Sequence, residues 1–386
     1  MKNRIRSLEG LRVVAIFIIV LSHFEFVGTL NNGFGSIYNN FLHNATLGVD
    51  YFFVLSGFGL MLSFLRNYNK KEGNYSENPF LFAFRRVKKL YPLVLISFIP
   101  YVISSIVLFV LDGFSIKSLI KLLAQILVSP TLLQSASGTT IFSHALNGVI
   151  WFYSCLFIIY LVSPLLMTFV FKHKDNKLFL TLGAFLCVLL IVFFSFAFSF
   201  VDGIWIFDDF VYGSPYVRVF FVALGMFIGA LCYKILGSFV VTNGLKVVTS
   251  FLEIILLLCC VAWFLFRNSV PISQVFLLRI IDVPLIASLI FVFSFEAGIF
   301  SKFFSTGFFV WQSKFVPYIY IIHYPVRIVL MTYVLRTIEL STLSAFICCV
   351  CIILLTLLLV CIYILIQKHL LKKQNGINSD FKSQQK

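Results

Sequence analysis

Charged residues are scarce in this chain. Asp, Glu, Lys and Arg make up only 12% of its 386 residues, against 60% hydrophobic and 18% aromatic residues. This composition excludes an ordinary soluble domain, because so apolar a chain cannot cover its surface with polar groups. The nine cysteines lie almost wholly inside apolar segments and have no histidine partners at metal-ligand spacing, so we interpret them as packing residues and expect no metal site. The sequence therefore predicts a polytopic membrane protein.

Acidic residues are the rarer charge, with 15 Asp and Glu against 30 Lys and Arg and a net charge of +15. Most basic residues lie in short tracts between apolar runs, which is the positive-inside pattern of membrane proteins, and we expect no nucleic-acid partner. With the N-terminus inside, the same side collects most of these tracts: Lys2 to Arg6, Arg66 to Lys89, Lys172 to Lys177 and the C-terminal tail. Both termini are therefore predicted to be cytoplasmic.

Long apolar runs dominate the sequence, and a helix needs roughly 20 apolar residues to span a bilayer. We predict an all-α bundle of about ten transmembrane helices, near residues 8–27, 47–65, 90–111, 147–171, 178–200, 216–234, 246–266, 274–298, 317–336 and 343–367. Segment 115–135 is interpreted as an interfacial helix or a partly buried loop, because it carries Lys117, Lys121 and Gln125. We expect one integral-membrane domain over residues 1–371 and a polar basic cytoplasmic tail over residues 372–386.

Two histidines lie inside these apolar runs, each with an arginine on its own helix face. Arg12 and His23 are eleven positions apart in the first span, which places them within ~20° of each other and ~16 Å apart. His323 and Arg327 are four positions apart in the ninth span and also share a face. An ionisable side chain at membrane depth is costly unless it faces a polar cavity. Both clusters are therefore candidate functional sites, and the alternative for each is a neutral histidine hydrogen-bonded inside the bundle.

Two further segments carry chemically useful residues. The second span opens with GVDYFFVLSGF, in which Asp50 enters an apolar run and Ser56-Gly57 permits close helix approach. A basic segment follows at the predicted cytoplasmic surface and contains four cations: Arg85, Arg86, Lys88 and Lys89. These cations either fix the topology and meet anionic lipid or bind the phosphates of a cytoplasmic cofactor, because arginine binds phosphate bidentately and lysine supplies a point charge.

Four stretches of the sequence form a recognisable series: Arg6-x-x-x-Gly10-Leu-Arg12 with His23, GVDYFFVLSGF at 48–58, R-R-x-x-K-x-Y-P at 85–92, and Tyr320-Ile-Ile-His323-x-Pro325. In this order and spacing they resemble the integral-membrane acyltransferase family 3, whose members O-acetylate cell-surface polysaccharides and related glycans. The resemblance runs from about residue 4 to about residue 365.

The resemblance implies roles for individual residues. His23 corresponds to the family's essential first-helix histidine, and Arg12 corresponds to its partner arginine. Arg86 with Lys89 corresponds to the R-x-x-R motif implicated in acyl-CoA handling; lysine in place of the second arginine keeps the charge but loses the bidentate fork. The family's W-S-L-x-x-E-x-x-F-Y region is similar to the stretch from Trp151 to Tyr160, in which the Trp and Tyr are kept and the acidic residue is absent.

We therefore expect an O-acyltransferase of the bacterial cytoplasmic membrane that moves an acetyl group from cytoplasmic acetyl-CoA to a hydroxyl of a cell-surface or lipid-linked glycan. His23 is the predicted general base, Asp50 orients its imidazole, and Arg12 polarises the thioester carbonyl or holds the donor. His323 is either a second proton-handling group or a ligand of the acceptor. The CoA phosphates are expected to contact three cations: Arg85, Arg86 and Lys89.

The two histidines raise a problem of depth. Counted from the cytoplasmic ends of their spans, His23 lies ~22 Å deep and His323 only ~9 Å deep. One site cannot easily hold both at those depths. Either the acyl group travels between two sites across the bilayer, or the helices tilt and break enough to bring the histidines together.

Two rival functions compete with the enzyme. A transporter or flippase of a lipid-linked sugar would use the buried charges to line a substrate path, but it does not account for the particular series of motifs. A catalytically silent scaffold for glycan assembly would need none of the buried charges. Acetyl signals in the surface polysaccharide, compared with and without this gene, separate the enzyme from both rivals.

Overall fold

In the computed structural model the chain is almost wholly helical over the residues that it describes, which are 5–43, 46–68, 78–199, 207–236, 242–267, 275–333 and 339–384. No strand occurs among these residues, so the all-α prediction is confirmed. Sixteen α-helices follow one another in this part of the chain: α1 (Arg6–Ser22), α2 (Gly33–Ile37), α3 (Thr46–Tyr68), α4 (Pro79–Val87), α5 (Tyr91–Asp112), α6 (Ile116–Val128), α7 (Thr140–Ser143), α8 (Trp151–Lys172), α9 (Lys177–Ser199), α10 (Pro215–Leu236), α11 (Asn243–Phe266), α12 (Val275–Phe293), α13 (Ile299–Phe304), α14 (Gly307–Gln312), α15 (Val316–Tyr333) and α16 (Thr342–Gln384). Short 3₁₀ or π turns connect several of them: Glu25–Thr29, Tyr38–Leu42, Ser129–Thr131, Gln134–Ser137, Gly148–Ile150 and Phe207–Tyr212.

Within the described residues, seven helical segments are long and apolar enough to cross a membrane, which confirms the multi-pass architecture. They are Gly33–Asn67, Tyr91–Asp112, Gly148–Lys172, Lys177–Phe198, Phe210–Leu236, Asn243–Phe266 and Thr342–Leu370. The other three predicted spans correspond to the shorter helices α1, α12 and α15, of 17, 19 and 18 residues. The total of about ten spans therefore stays a prediction. The last helix, α16, continues into the predicted polar tail as far as Gln384.

The segment after the third predicted span forms the amphipathic helix α6. Its exposed apolar residues recur at helical spacing: Ile116, Ile120, Leu123 and Leu127. Leu122 and Gln125 are buried on the other face. An exposed apolar stripe on a helix with Lys117 and Lys121 is typical of an interfacial helix, which is the first of the two predicted alternatives. Its position at a membrane surface stays a prediction.

Helices α3 and α10 pack against each other at glycines. A Cβ on Gly57 would collide with the backbone carbonyl of Val222, and a Cβ on Gly225 would collide with that of Val54. Only glycine permits backbones to approach this closely, as in other small-residue contacts between membrane helices. The predicted close approach at Ser56-Gly57 is thus confirmed, and it brings the start of α3 against the start of α10.

A buried charge network joins this pair to α12. The carboxylate of Asp50 accepts hydrogen bonds from Nη1 of Arg218 and from Nη1 of Arg279. Asp282 lies 3.8 Å from Arg279 and accepts a 2.7 Å bond from Nη2 of Arg267. All five side chains are at most 3% exposed. Arg279 and Asp282 lie three positions apart on α12, but each has a closer partner on another element.

Two buried or half-buried glutamates hold the start of a helix in place. Oε1 of Glu296 accepts a bond from the backbone N–H of Ser7 at the start of α1. Oε2 of Glu253 accepts bonds from the N–H groups of Phe300 and Ser301 at the start of α13, at 2.9 and 3.1 Å. A carboxylate is stabilising there because the first N–H groups of a helix lack partners and carry partial positive charge. These two acidic residues are therefore structural, and they fix α1 and α13 at the same end of the bundle.

Candidate active site

His23 ends the first helix with its own side chain. The backbone N–H of His23 bonds to Val20 O at 3.2 Å rather than to the carbonyl four residues back. That carbonyl, of Ile19, accepts instead from the imidazole Nδ1 at 2.7 Å. The helix consequently stops at Ser22, five residues before the predicted end at Val27, and the imidazole is held in one orientation.

His323 repeats this local arrangement and lies against His23. Its Nδ1 bonds to Ile319 O at 3.0 Å, and its Nε2 lies 3.4 Å from Nδ1 of His23. A carbonyl oxygen can only accept, so both Nδ1 atoms carry the hydrogen and both Nε2 atoms carry a lone pair in the neutral form. The Nε2 of His323 therefore accepts from Nδ1–H of His23, while Nε2 of His23 has no hydrogen-bond partner among the described residues.

The structure resolves the depth problem in favour of one shared site. The ring centroids of His23 and His323 are 5.1 Å apart. Sequence counting placed His323 too near the surface because it started α15 at the membrane edge. The hydroxyl of Ser313 instead bonds to Glu9 at 3.2 Å, so His323 stands ten residues, or ~15 Å, beyond the level of Glu9. His23 stands ~21 Å beyond the level of Glu9, and the two imidazole rings, which face each other, span the difference in depth.

The far side of the pair carries aromatic and charged groups. The ring of Tyr324 is 5.4 Å from that of His23, and Arg327 stacks 5.3 Å above Tyr324. Nη2 of Arg327 bonds to the half-exposed carboxylate of Glu25 at 2.5 Å. His144 lies close enough to His23 to interact with it electrostatically, and burial lowers the pKa of His144 to about 4. The histidine pair is thus bordered by neutral imidazole on one side and by an ion pair on another.

A polar cavity of about 590 Å³ lies beside the N-terminal half of α1. Its polar lining comes from four helices: Glu9 and Arg12 of α1, Ser56, Ser63, Arg66 and Asn67 of α3, Arg86 of α4, and Tyr160 of α8. Arg12 bonds to Glu9 at 2.9 Å. Three arginines against one glutamate leave an excess of positive charge. The volume is that of a small-molecule site, and guanidinium groups suit a ligand that carries phosphates.

The predicted phosphate-binding residues divide at this cavity. Arg86 lines it, whereas Arg85 and Lys89 are exposed and are not part of its lining. Arg66 takes a place that sequence reasoning did not assign, because it ends α3 and was counted only among the basic residues of a loop. The sequence pattern that could have indicated this role of Arg66 is an arginine at the end of an apolar span, followed by a basic segment.

An aromatic wall separates the cavity from the histidine pair. Phe52 lines the cavity, Phe152 lies 6.3 Å from it, and Tyr320 lies 5.3 Å from Phe152. The ring of Tyr320 is in turn 6.0 Å from that of His323. Neither histidine lines the cavity. Phe52 and Phe152 thus lie between the cavity lining and Tyr320, which contacts His323.

Asp50 does not hold the imidazole of His23. Its two carboxylate oxygens are engaged by Arg218 and Arg279, while His23 bonds to Ile19 and His323. The prediction failed because Asp50 is more strongly attracted to two buried guanidinium groups than to a neutral ring. His323, rather than the predicted Asp50, is the side chain that contacts the imidazole of His23.

Comparison with known proteins identifies the family of the chain. No curated protein and no solved structure matches the chain. A family model described as an acyltransferase domain matches residues 5–364, which include α1 with Arg12 and His23, the GVDYFFVLSGF start of α3, the cavity residues and His323. Because the match covers nearly the whole chain, the protein belongs to acyltransferase family 3 and is a membrane acyltransferase.

Proposed function

We propose that this protein transfers an acetyl group from acetyl-CoA to a hydroxyl of a cell-surface or lipid-linked glycan. The observation that carries the proposal is the His23–His323 pair, in which Nδ1–H of His23 is held and Nε2 is left open. Acyl transfer to a hydroxyl needs a base with an available lone pair near neutral pH. An oriented neutral imidazole supplies one.

The donor is assigned to the cavity. The excess positive charge of Arg12, Arg66 and Arg86 suits the phosphates of CoA, which arginine binds through paired N–H groups. Arg12 holds the donor rather than polarising its carbonyl, because it stands ~16 Å along α1 from His23. The pantetheine arm then extends along α1 toward His23, with Phe52 and Phe152 displaced.

The chemical step needs only the donor, the acceptor and His23. The Nε2 of His23 takes the proton of the acceptor hydroxyl as the hydroxyl oxygen attacks the thioester carbonyl carbon. The tetrahedral oxyanion collapses, the C–S bond breaks, and the imidazolium returns the proton to the leaving sulfur. The products are the acetyl ester and the free thiol of CoA, and His23 ends in its starting form.

His323 stabilises the charged form of His23. When Nε2 of His23 is protonated, the ring becomes a cation whose Nδ1–H is a stronger donor. That hydrogen faces the lone pair on Nε2 of His323 at 3.4 Å and the carbonyl of Ile19 at 2.7 Å. This is the role that a third group plays in a nucleophile–base–orienter arrangement.

The proposed location is the bacterial cytoplasmic membrane, with the donor taken from the cytoplasm. The basic tracts that the positive-inside rule places in the cytoplasm include Arg66 and Arg86, and both line the cavity. The histidine pair lies toward the other end of α1. Such a division suits a donor and an acceptor that approach from opposite faces of the membrane.

The test is a transfer assay with the purified full chain in lipid nanodiscs. Radiolabelled acetyl-CoA is the donor, and chemically de-O-acetylated surface polysaccharide of the producing strain is the acceptor. We expect His23→Gln to lower kcat about 10²- to 10⁴-fold, the usual contribution of a general base, with little change in KM for acetyl-CoA.

His173→Gln is the matched control. His173 ends α8 in the same way, with its N–H on Val170 O at 3.2 Å and its Nδ1 on Phe169 O at 3.1 Å, but it is far along the chain from the pair. We expect wild-type activity from this variant. Transfer at the normal rate by H23Q would overturn the base assignment, and export of less polymer from a deletion strain with its acetylation intact would favour the transporter.

A further inference from the structure

The helix that carries His323 contains a proline two residues after the histidine. Pro325 lies inside α15, and proline has no N–H to bond the carbonyl four residues earlier. That carbonyl belongs to Ile321, two residues before His323. A buried carbonyl without a partner is destabilising, so another donor is needed.

Asn147 supplies that donor. Its Nδ2 bonds to Ile321 O at 3.0 Å and to the hydroxyl of Ser97 at 2.9 Å, and the residue is 1% exposed. Since a carbonyl oxygen cannot donate, the amide nitrogen must face Ile321, which fixes the amide orientation. Asn147 thus binds α15 at the one carbonyl that Pro325 leaves open.

Gly148 and Val149, the next two residues, contact the same turn of α15. A Cβ on Gly148 would lie 3.0 Å from Cε1 of Tyr324, so glycine is what lets this segment approach the ring. The hydroxyl of Tyr320 donates to Val149 O at 3.0 Å. Residues 147–149, which we name the α15 clamp, therefore contact positions 320, 321 and 324, on both sides of His323.

We propose that Asn147 is a positioning residue that sets the orientation of His323 toward His23. It acts through the Ile321 carbonyl and does not touch the reacting atoms. The inference rests on the proposed function, because the pair matters only if it handles the transferred proton. The inference adds how the histidine pair is held in place. Asn147, in the segment before α8, replaces the helix hydrogen bond that Pro325 removes.

The first measurement is kinetic. Asn147→Ala should lower kcat about 10- to 100-fold, the cost of a small displacement in an active site, and leave KM for acetyl-CoA unchanged because the cavity is untouched. Ser163→Ala is the control, since the buried Ser163 hydroxyl bonds to a carbonyl of its own helix at 2.8 Å and to no other group among the described residues. We expect wild-type kinetics from it. Unchanged kcat in folded N147A would overturn the inference.

Pro325→Ala gives the decisive cross-check. Alanine restores an N–H that can bond Ile321 O within the helix, so Asn147→Ala should lower kcat less in the P325A background than in the wild-type background. An equal loss in both backgrounds would show that Asn147 acts by another route. If N147A is not recovered as monodisperse protein, Asn147→Ser, whose shorter side chain cannot reach both partners, takes its place in the same cycle.

A readout without turnover keeps the inference separate from the proposed function. Diethyl pyrocarbonate modifies accessible imidazoles, and His323 is 1% exposed whereas His173 is half-buried. We expect N147A to raise the modification rate of His323 severalfold over its wild-type rate, with the rate at the half-buried His173 unchanged, and S163A to change neither. Wild-type protein that transfers no acetyl would refute the proposed function, and N147A with His323 still fully protected would refute the positioning role.

Discussion

The same two elements, a histidine that ends a helix and an aspartate paired with a base, occur in two regions of this molecule. In the core, His23 ends α1 and Asp50 pairs with Arg218 and Arg279, all within the bundle. Between α8 and α9, His173 ends α8 and Asp175 bonds to Lys234 at 2.5 Å, with both ionic side chains exposed. The local hydrogen bonds are alike. What differs is the burial of the neighbouring charges: the helix-ending geometry alone is structural, and the proposed function of His23 depends on its buried neighbours.

The largest loss of stability is expected when the buried carboxylate of Asp50 is removed. Asp50→Asn leaves Arg218 and Arg279 without their shared counter-charge, and loss of one partner of a buried pair costs about 3–5 kcal/mol. We expect a large fall in the melting temperature in detergent, or failure to accumulate folded protein. Thermal unfolding followed by tryptophan fluorescence checks this, and a melting temperature like that of the wild type would contradict the structural role of the network.

An intermediate effect is expected at Arg86, which is exposed like Lys234 but lines the cavity. Loss of a charge-assisted contact to phosphate is worth about 1.5–3 kcal/mol, so Arg86→Ala should raise KM for acetyl-CoA roughly 10- to 100-fold with kcat little changed. Lys89→Ala is the control, because Lys89 does not line the cavity. Steady-state kinetics decide it: equal effects of the two substitutions would mean that net surface charge, not this cavity, binds the donor.

The smallest effect is expected at the exposed pair. The hydrogen bond and charge of Lys234 lower the pKa of Asp175, so any stability that the pair contributes is present above the ordinary carboxylate pKa and is lost as pH falls through the lowered one. Exposed pairs are well screened by water and salt. Asp175→Asn should therefore leave the melting temperature at pH 7 unchanged within error. A drop comparable with that of D50N would erase the distinction between the two regions.

Much of this architecture could be predicted from local patterns. Apolar length gave the helices, Ser56-Gly57 marked the tight α3–α10 contact, and the two His–Arg pairs marked the helices of the site. Each of these signals lies within one or two turns of chain, where helical periodicity fixes which residues share a face.

The partners of those residues could not be predicted, because they depend on contacts between distant segments. His23 meets His323 300 positions away, and Asp50 meets Arg218 168 positions away. Burial implies that a charge needs a partner, and helical periodicity shows which residues share its face, but neither shows which other helix supplies the partner. Arg66 was missed for the same reason, since only the packing of α3 beside α1 and α4 turns a helix-terminal arginine toward a cavity.

The two helices that carry the histidines are short for their task. At ~1.5 Å per residue, α1 and α15 span ~26 and ~27 Å, less than the ~30 Å of an average hydrocarbon core. Both present apolar side chains outward, with Phe17 56% and Val329 39% exposed. If both helices span the bilayer as predicted, hydrophobic mismatch of this kind thins the surrounding lipid and brings water and headgroups nearer to the histidines. We therefore expect the rate of the proposed transfer to depend on the acyl-chain length of the reconstituted bilayer.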